Sequence, residues 1–157
     1  MKNKDISLIG FLVLIVTVQA LGSAATFSSV QSWYPSINKV AWNPPAWVFA
    51  PVWTALYIMI AISGWRVWVK LKSNQFQNSA ICWYFFQLFI NLMWSLLFFG
   101  LQNPLAALFD ILILLASIAI TIRQFIKIDK FAAILLIPYI LWVGYAVTLN
   151  AGIVYLN

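Results

Sequence analysis

The sequence predicts an all-α integral membrane protein, a bundle of five transmembrane helices with a long first loop capping a pocket at one end. Three observations predict it. Hydrophobic residues make up 64% of the 157-residue chain and charged residues only 8%, against about 25% charged in soluble domains. Five apolar runs each approach the roughly 20 residues that a helix needs to cross a bilayer. The basic residues are distributed on one side of those runs.

The first run, Ile6–Phe27, follows Lys2 and Lys4 and offers the polar stripe Gln19, Ser23 and Thr26, with Ala20 and Ala24 as small residues. Its alternative is a cleaved signal peptide, with the lysines as n-region and Gly22-Ser23-Ala24-Ala25 as cleavage site. The run is long for such a segment, so a span is the preferred reading. The second run, Pro45–Val69, aligns Phe49, Trp53, Tyr57 and Gly64 on one side. Pro44 and Pro45 favour an extended approach and then a helix start, and Pro51 sits far enough inside to kink the helix. The third run, Ser79–Gly100, puts Gln87, Asn91, Trp94, Ser95 and Phe98 on one helical face.

The fourth run, Leu105–Ile126, aligns Asp110, Ser117, Thr121 and Gln124. Asp110 is the only acidic residue in a span. Its place near the start of that helix favours a structural role, at the interface or bonded to the first loop, over a proton or cation site. The fifth run, Phe131–Tyr155, carries Trp142, Ala146, Leu149 and Asn150 on one face and the small-residue stripe Gly144, Thr148 and Gly152 on another. Polar stripes inside a membrane seek other helices or a cavity. On the first and fourth runs they read as interhelical glue. On the third and fifth, amides lie beside large indoles, which is also the composition of a small-molecule pocket.

The connections are Ser28–Pro44, Lys70–Asn78, Gln102–Pro104 and Lys127–Lys130. All but the first are short, so successive helices run antiparallel. Lys2, Lys4, Arg66, Lys70, Lys72, Arg123, Lys127 and Lys130 then fall on one side and only Lys39 on the other. This places the N-terminus in the cytoplasm and the C-terminus outside a cell membrane that the chain crosses as a multi-pass protein. The net charge of +6 is scattered around apolar blocks, so anionic lipid and not nucleic acid is its expected partner. There is no His and only one Cys, Cys82. That removes the commonest metal ligand and general base and any intrachain disulfide. No metal site and no cofactor are expected.

Nine Trp stand in the chain. Trp65, Trp68 and Trp83 fall at helix ends and read as an interfacial belt. Trp33, Trp42, Trp47 and Trp53 cluster around Asn43-Pro44-Pro45 and Pro51. At about 17 residues, the loop before them is long for a compact bundle, which fits a lid.

The run Trp42-Asn43-Pro44-Pro45-Ala46-Trp47-Val48-Phe49-Ala50-Pro51-Val52-Trp53, followed by Leu56-Tyr57, resembles the signature of the tryptophan-rich sensory protein/translocator protein family, also called the peripheral benzodiazepine receptor family. The likeness continues through Gln87-Leu88, Asn91, Trp94-Ser95, Phe98-Phe99-Gly100, Ala107, Asp110, Pro138-Tyr139, Trp142, Tyr145-Ala146 and Leu149-Asn150, nearly the whole chain. The resemblance implies a membrane receptor or sensor for porphyrins such as protoporphyrin IX and for isoquinoline carboxamide or benzodiazepine ligands. It implies a homodimer, and pocket residues at Phe49, Ala50, Trp53, Asn91, Trp94, Ser95, Trp142, Ala146 and Leu149. Phe98 on the third stripe and Pro44 and Trp47 in the Trp-Pro segment complete the expected ligand contacts.

Light-dependent porphyrin degradation, also implied, would use indoles, with Trp53 and Trp142 as the reactive pair. The alternative function is transport of small hydrophobic metabolites, with Asp110 as its only polar support. A third reading is a membrane interaction partner with a vestigial pocket. Two positions depart from the animal pattern. No basic residue follows Leu149 and Tyr155, so a strong sterol site is not expected, and Ala106 stands where animal members carry Trp.

Overall fold

The computed structural model describes residues 4–71 and 75–157. Among them the chain forms α1 (Lys4–Gln31), a short α2 (Trp33–Ser36), a 3-10 turn at Ala46–Val48, α3 (Phe49–Lys70), α4 (Gln75–Ser95), a π-turn at Leu96–Gly100, α5 (Pro104–Ile126), α6 (Lys130–Leu135) and α7 (Ile137–Leu156). Five helical segments are long and apolar enough to cross a membrane. Each satisfies its backbone internally, as lipid requires.

The first loop is shorter than its sequence suggests, because α1 continues to Gln31 and α2 follows at once. Pro51 falls nearer the start of the helix than the sequence suggests. The helix opens as a 3-10 turn at Ala46, so Pro51 stands in the first turn of α3, where a missing N–H removes no helical bond. The fifth span is divided. Pro138 cannot donate back along the chain, and the helix breaks at Leu136 between α6 and α7.

α1 lies against α3 and α4, α4 against α5, and α5 against α7. The ring closes mainly through α6, which packs on α3, while α3 and α7 approach each other only sparsely. Large side chains bridge that gap: Phe49 meets Trp142 at 5.9 Å between ring centroids, and Trp53 meets Tyr139 at 6.3 Å. The core is apolar and closely packed, with Ile60, Ala61, Tyr84, Ile111, Leu114, Ile118, Phe125 and Tyr139 all buried. The bundle is therefore tight at the end that holds α6 and splayed at the other.

The tight end is also the basic end; of its eight basic residues, Lys2 and Lys72 lie outside the described residues. Trp65 Nε1 donates to the carbonyl of Lys4, and Ser63 Oγ donates to the carbonyl of Ala132. Asp129 organises the rest. Its carboxylate accepts from the backbone N–H groups of Phe131 and Ala132, capping α6, and its Oδ2 lies 2.9 Å from both Arg66 Nε and Lys70 Nζ. Burial opposes this charge, but the hydrogen bonds from Lys70, Arg66 and Ala132 outweigh it and hold the carboxyl down at about 2, from the usual 3.8.

A folded value below the unfolded one stabilises the fold above the unfolded value, and the contribution is lost as pH falls through the folded one. The wild-type protein should therefore lose thermal stability between about pH 4 and pH 2, and Asp129→Asn should flatten that loss. Parallel slopes for the two proteins in detergent would remove Asp129 as its source.

Asp110 differs from its expected environment. It is buried, and Oδ2 has no hydrogen-bond partner among the described residues. No bond reaches the first loop, because that loop lies over the ends of α4 and α7. The stripes on the first and fourth spans bond partly between helices and partly within them: Gln19 Nε2 donates to Thr54 Oγ1 on α3 at 3.5 Å. Ser117 and Thr121 donate to the carbonyls of Leu114 and Ser117 in their own helix, and Thr26 does the same to Gly22.

Candidate ligand-binding cavity

Where α3 and α7 splay, the bundle holds a partly open cavity of about 340 Å³. That size lies at the small end of the roughly 300–1,000 Å³ range of ligand pockets. Four spans wall it. α1 supplies Gln19, Gly22, Ser23, Thr26 and Val30; the 3-10 turn and α3 supply Ala46, Phe49, Ala50, Trp53, Thr54 and Tyr57. The third span supplies Trp94, Ser95, Phe98 and Phe99, and α7 supplies Ala146, Leu149, Asn150 and Ile153. Tyr34, just beyond α1, closes the outer end. None of these lining residues is charged, so the site is built for an apolar body with a few hydrogen-bonding points.

Several wall residues are fixed by contacts behind them. Trp94 Nε1 donates to Asn150 Oδ1 at 3.1 Å, and Asn150 Nδ2 donates to the carbonyl of Pro104 at 2.8 Å. One amide thus ties α4, α5 and α7 and sets the Trp94 indole, which also stacks on Phe98. Trp53 rests on Tyr57 and Tyr139. Tyr57 Oη donates to Asn91 Oδ1 at 2.7 Å, and Asn91 Nδ2 donates to Tyr139 Oη at 3.1 Å. The π-turn carries Phe98 and Phe99, two consecutive residues that both face the cavity. Its last bonds run from the N–H of Leu101 to the carbonyl of Leu96 and from that of Asn103 to Leu97.

The lid is anchored along α7. Trp42 Nε1 donates to Thr148 Oγ1, and Tyr145 Oη donates to the carbonyl of Trp42 at 2.6 Å. Asn38 N–H donates to Asn157 Oδ1, and Asn157 Nδ2 donates back to the carbonyl of Asn38. Val40 sits directly on Gly152, where an added Cβ would overlap its Cγ1. Thr148 and Gly152 therefore serve contact with the loop, while Gly144 has open space beside it. On the other flank Trp33 meets Phe98 edge-on, and Tyr34 Oη donates to Asn43 Oδ1.

The residues expected to contact ligand fall into two groups. Phe49, Ala50, Trp53, Trp94, Ser95, Phe98, Ala146 and Leu149 line the cavity together. The other four do not line it. Asn91 lies behind Tyr57 and is bonded to it. Trp142 lies behind Phe49, its buried Nε1 without a partner among the described residues. Trp47 is 74% exposed and faces outward, and Pro44 belongs to the loop before the 3-10 turn. The α1 wall had a visible signal in the Gln19, Ser23 and Thr26 stripe; Tyr34, Phe99 and Ile153 had none that separated them from packing residues.

The chain matches the TspO/MBR family over residues 11–156. It is 39% identical to the tryptophan-rich protein TspO of Archaeoglobus fulgidus, covering 97% of each chain. It is 32% identical to the tryptophan-rich sensory protein of Cereibacter sphaeroides, covering 94% of this chain and 90% of that one. To the human translocator protein it is 33% identical, covering 83% of this chain and 78% of that one. With five apolar spans, a Trp-Pro segment opening the second of them and this extent of similarity, the chain is a multi-pass membrane protein that belongs to the TspO/MBR family.

Proposed function

We propose that this protein is a membrane receptor whose cavity takes a flat aromatic ligand of the porphyrin class, protoporphyrin IX being the reference compound, or an isoquinoline carboxamide or benzodiazepine of similar shape. One observation carries the reading: Trp53 and Trp94, on different helices and each held from behind, present their indoles to one uncharged cavity. Indole faces attract flat π-systems, and Ser95 and Gln19 offer hydrogen bonds to a polar edge. Relatives named as a sensory protein and as a translocator protein support a receptor role. The one-sided basic residues support a cytoplasmic N-terminus, with the lid outside; thiol labelling of single cysteines from either side of the membrane tests that orientation.

Binding is tested by titrating protoporphyrin IX into detergent-solubilised protein. Trp53→Ala and Trp94→Ala should each weaken binding roughly fivefold to tenfold, about 1 kcal/mol for a lost aromatic partner. Unchanged affinity in both variants would sink the proposal. If light-driven degradation occurs, an excited porphyrin takes an electron from the indole that touches it. Trp53→Phe should then slow bleaching of the Soret band more than Trp142→Phe, because Phe49 stands in front of Trp142.

A further inference from the structure

The sides of the cavity differ in how they are closed. Between α3 and α7 the ring pairs Phe49–Trp142 and Trp53–Tyr139 stand in the gap. At the outer end Tyr34 lines the cavity, and the loop that follows it is held to α7 and to Asn157 by the hydrogen bonds of Trp42, Tyr145, Asn38 and Asn157 and by Val40 on Gly152. α1 packs on α3 towards the basic end, but in the outer half of the bundle the seam between them is spanned, among the described residues, by one long hydrogen bond, Gln19 Nε2 to Thr54 Oγ1 at 3.5 Å. Exposed cavity residues collect on its two sides: Ser23 on α1, and Ala46, Ala50 and Thr54 on the other. All four are small, so they leave a gap where larger side chains would meet.

The seam lies at hydrocarbon depth. Val16 and Ile58 beside it are exposed and apolar, as lipid-facing residues are. Polar side chains on such a surface are disfavoured unless they serve a path or a partner. Gln19, Ser23 and Thr54 nevertheless stand there together. Thr54 satisfies its own hydroxyl by donating to Ala50, which leaves the Gln19 amide, held only by its long bond to Thr54, and the Ser23 hydroxyl as the polar groups of the rim open to a ligand.

We propose that the cavity is filled from the membrane through the α1–α3 seam, and that its ligand is a lipid-dissolved molecule with a flat apolar body and a hydrogen-bonding edge, which Gln19 meets first. This rests on the reading of the cavity as a ligand site, and it names where that ligand resides before binding. Water-soluble molecules of the same shape are excluded by the lid.

The test follows access to the cavity without any porphyrin. In a Cys82→Ser background, Ala146→Cys puts a thiol on the α7 wall, across from the seam. In phosphatidylcholine vesicles it is labelled with a lipid-soluble maleimide and, separately, with a charged methanethiosulfonate. The maleimide should react, and the charged reagent at least about tenfold more slowly. Ala50→Trp, and independently Ser23→Trp, should slow the maleimide about tenfold, while Trp42→Ala in the lid changes it less than about twofold.

The proposal is overturned if the seam variants leave the rate unchanged while Trp42→Ala raises it, if both reagents react alike, or if neither reacts. Each variant is first shown to be monodisperse and helical. Because porphyrin takes no part, a chain that binds none can still pass this test, so the two readings fail separately.

Discussion

Gly64→Ala should lower the thermal unfolding temperature of the detergent-solubilised protein by on the order of 10 °C. A Cβ at position 64 would overlap Tyr84 Cζ and stand 2.6 Å from its hydroxyl and 2.7 Å from Cε2. Contacts that short require something to move. Tyr84 has nowhere to go: it is fully buried, stacks on Phe125 at 5.9 Å, touches Phe11, and donates its hydroxyl to the carbonyl of Ile60. Overpacking a rigid site costs about 1–3 kcal/mol and more where relaxation is blocked, so this site belongs at the upper end.

Tyr84→Phe should rescue little, because the ring carbon remains in place, whereas Tyr84→Leu should recover part of the loss in the double variant. If Gly64→Ala unfolds within a degree of wild type, α3 and α4 do not approach as closely as described.

Asn91→Leu should have the second largest effect, about 2 kcal/mol of stability together with a change in the shape of the cavity. Leucine keeps the branched skeleton of asparagine, with bulkier methyl groups in place of the amide, and neither accepts from Tyr57 nor donates to Tyr139. The two phenols are unequal in the loss. Tyr57 lines the cavity and can turn its hydroxyl into it, while Tyr139 is buried at the junction of α3, α4 and α7. The stability loss therefore falls mainly on Tyr139, and the freed Tyr57 ring alters the cavity floor. Asn91→Asp, which still accepts from Tyr57, separates the two bonds. A Leu variant with unchanged unfolding and unchanged porphyrin affinity would show that the Tyr57–Asn91–Tyr139 chain holds nothing in place.

These two sites also mark how far the sequence could be read. Helix number, order and approximate bounds followed from apolar run length, because a bilayer imposes that length. The inward faces of the third and fifth spans followed from residue spacing, and the cavity is indeed lined by Trp94, Ser95, Ala146 and Leu149. Spacing gives a direction but no depth. Asn91 shares the face of Trp94, yet Tyr57 reaches across from another helix and stands before it. Trp142 is screened by Phe49 in the same way.

At α1 the stripe of Gln19, Ser23 and Thr26 is visible in sequence, but residue type alone does not separate a cavity wall from a packing face. Asp129 drew no notice in sequence because it sits in a short charged loop. Its ties to Arg66 and Lys70 depend on α3 ending beside α6. Gly64 gave no sign of its contact, since only the partner helix reveals that Tyr84 fills the space.

The loop's last fastening has a practical side. Asn157 both donates to and accepts from Asn38, and the carbonyl of Leu156 receives the Asn38 side-chain amide. A purification tag or fluorescent fusion appended after Asn157 would sit against the lid, and affinities measured with it would include the disturbance of that clasp. The same fusion placed ahead of Lys4 is joined at the basic end of the bundle, away from both the lid and the cavity.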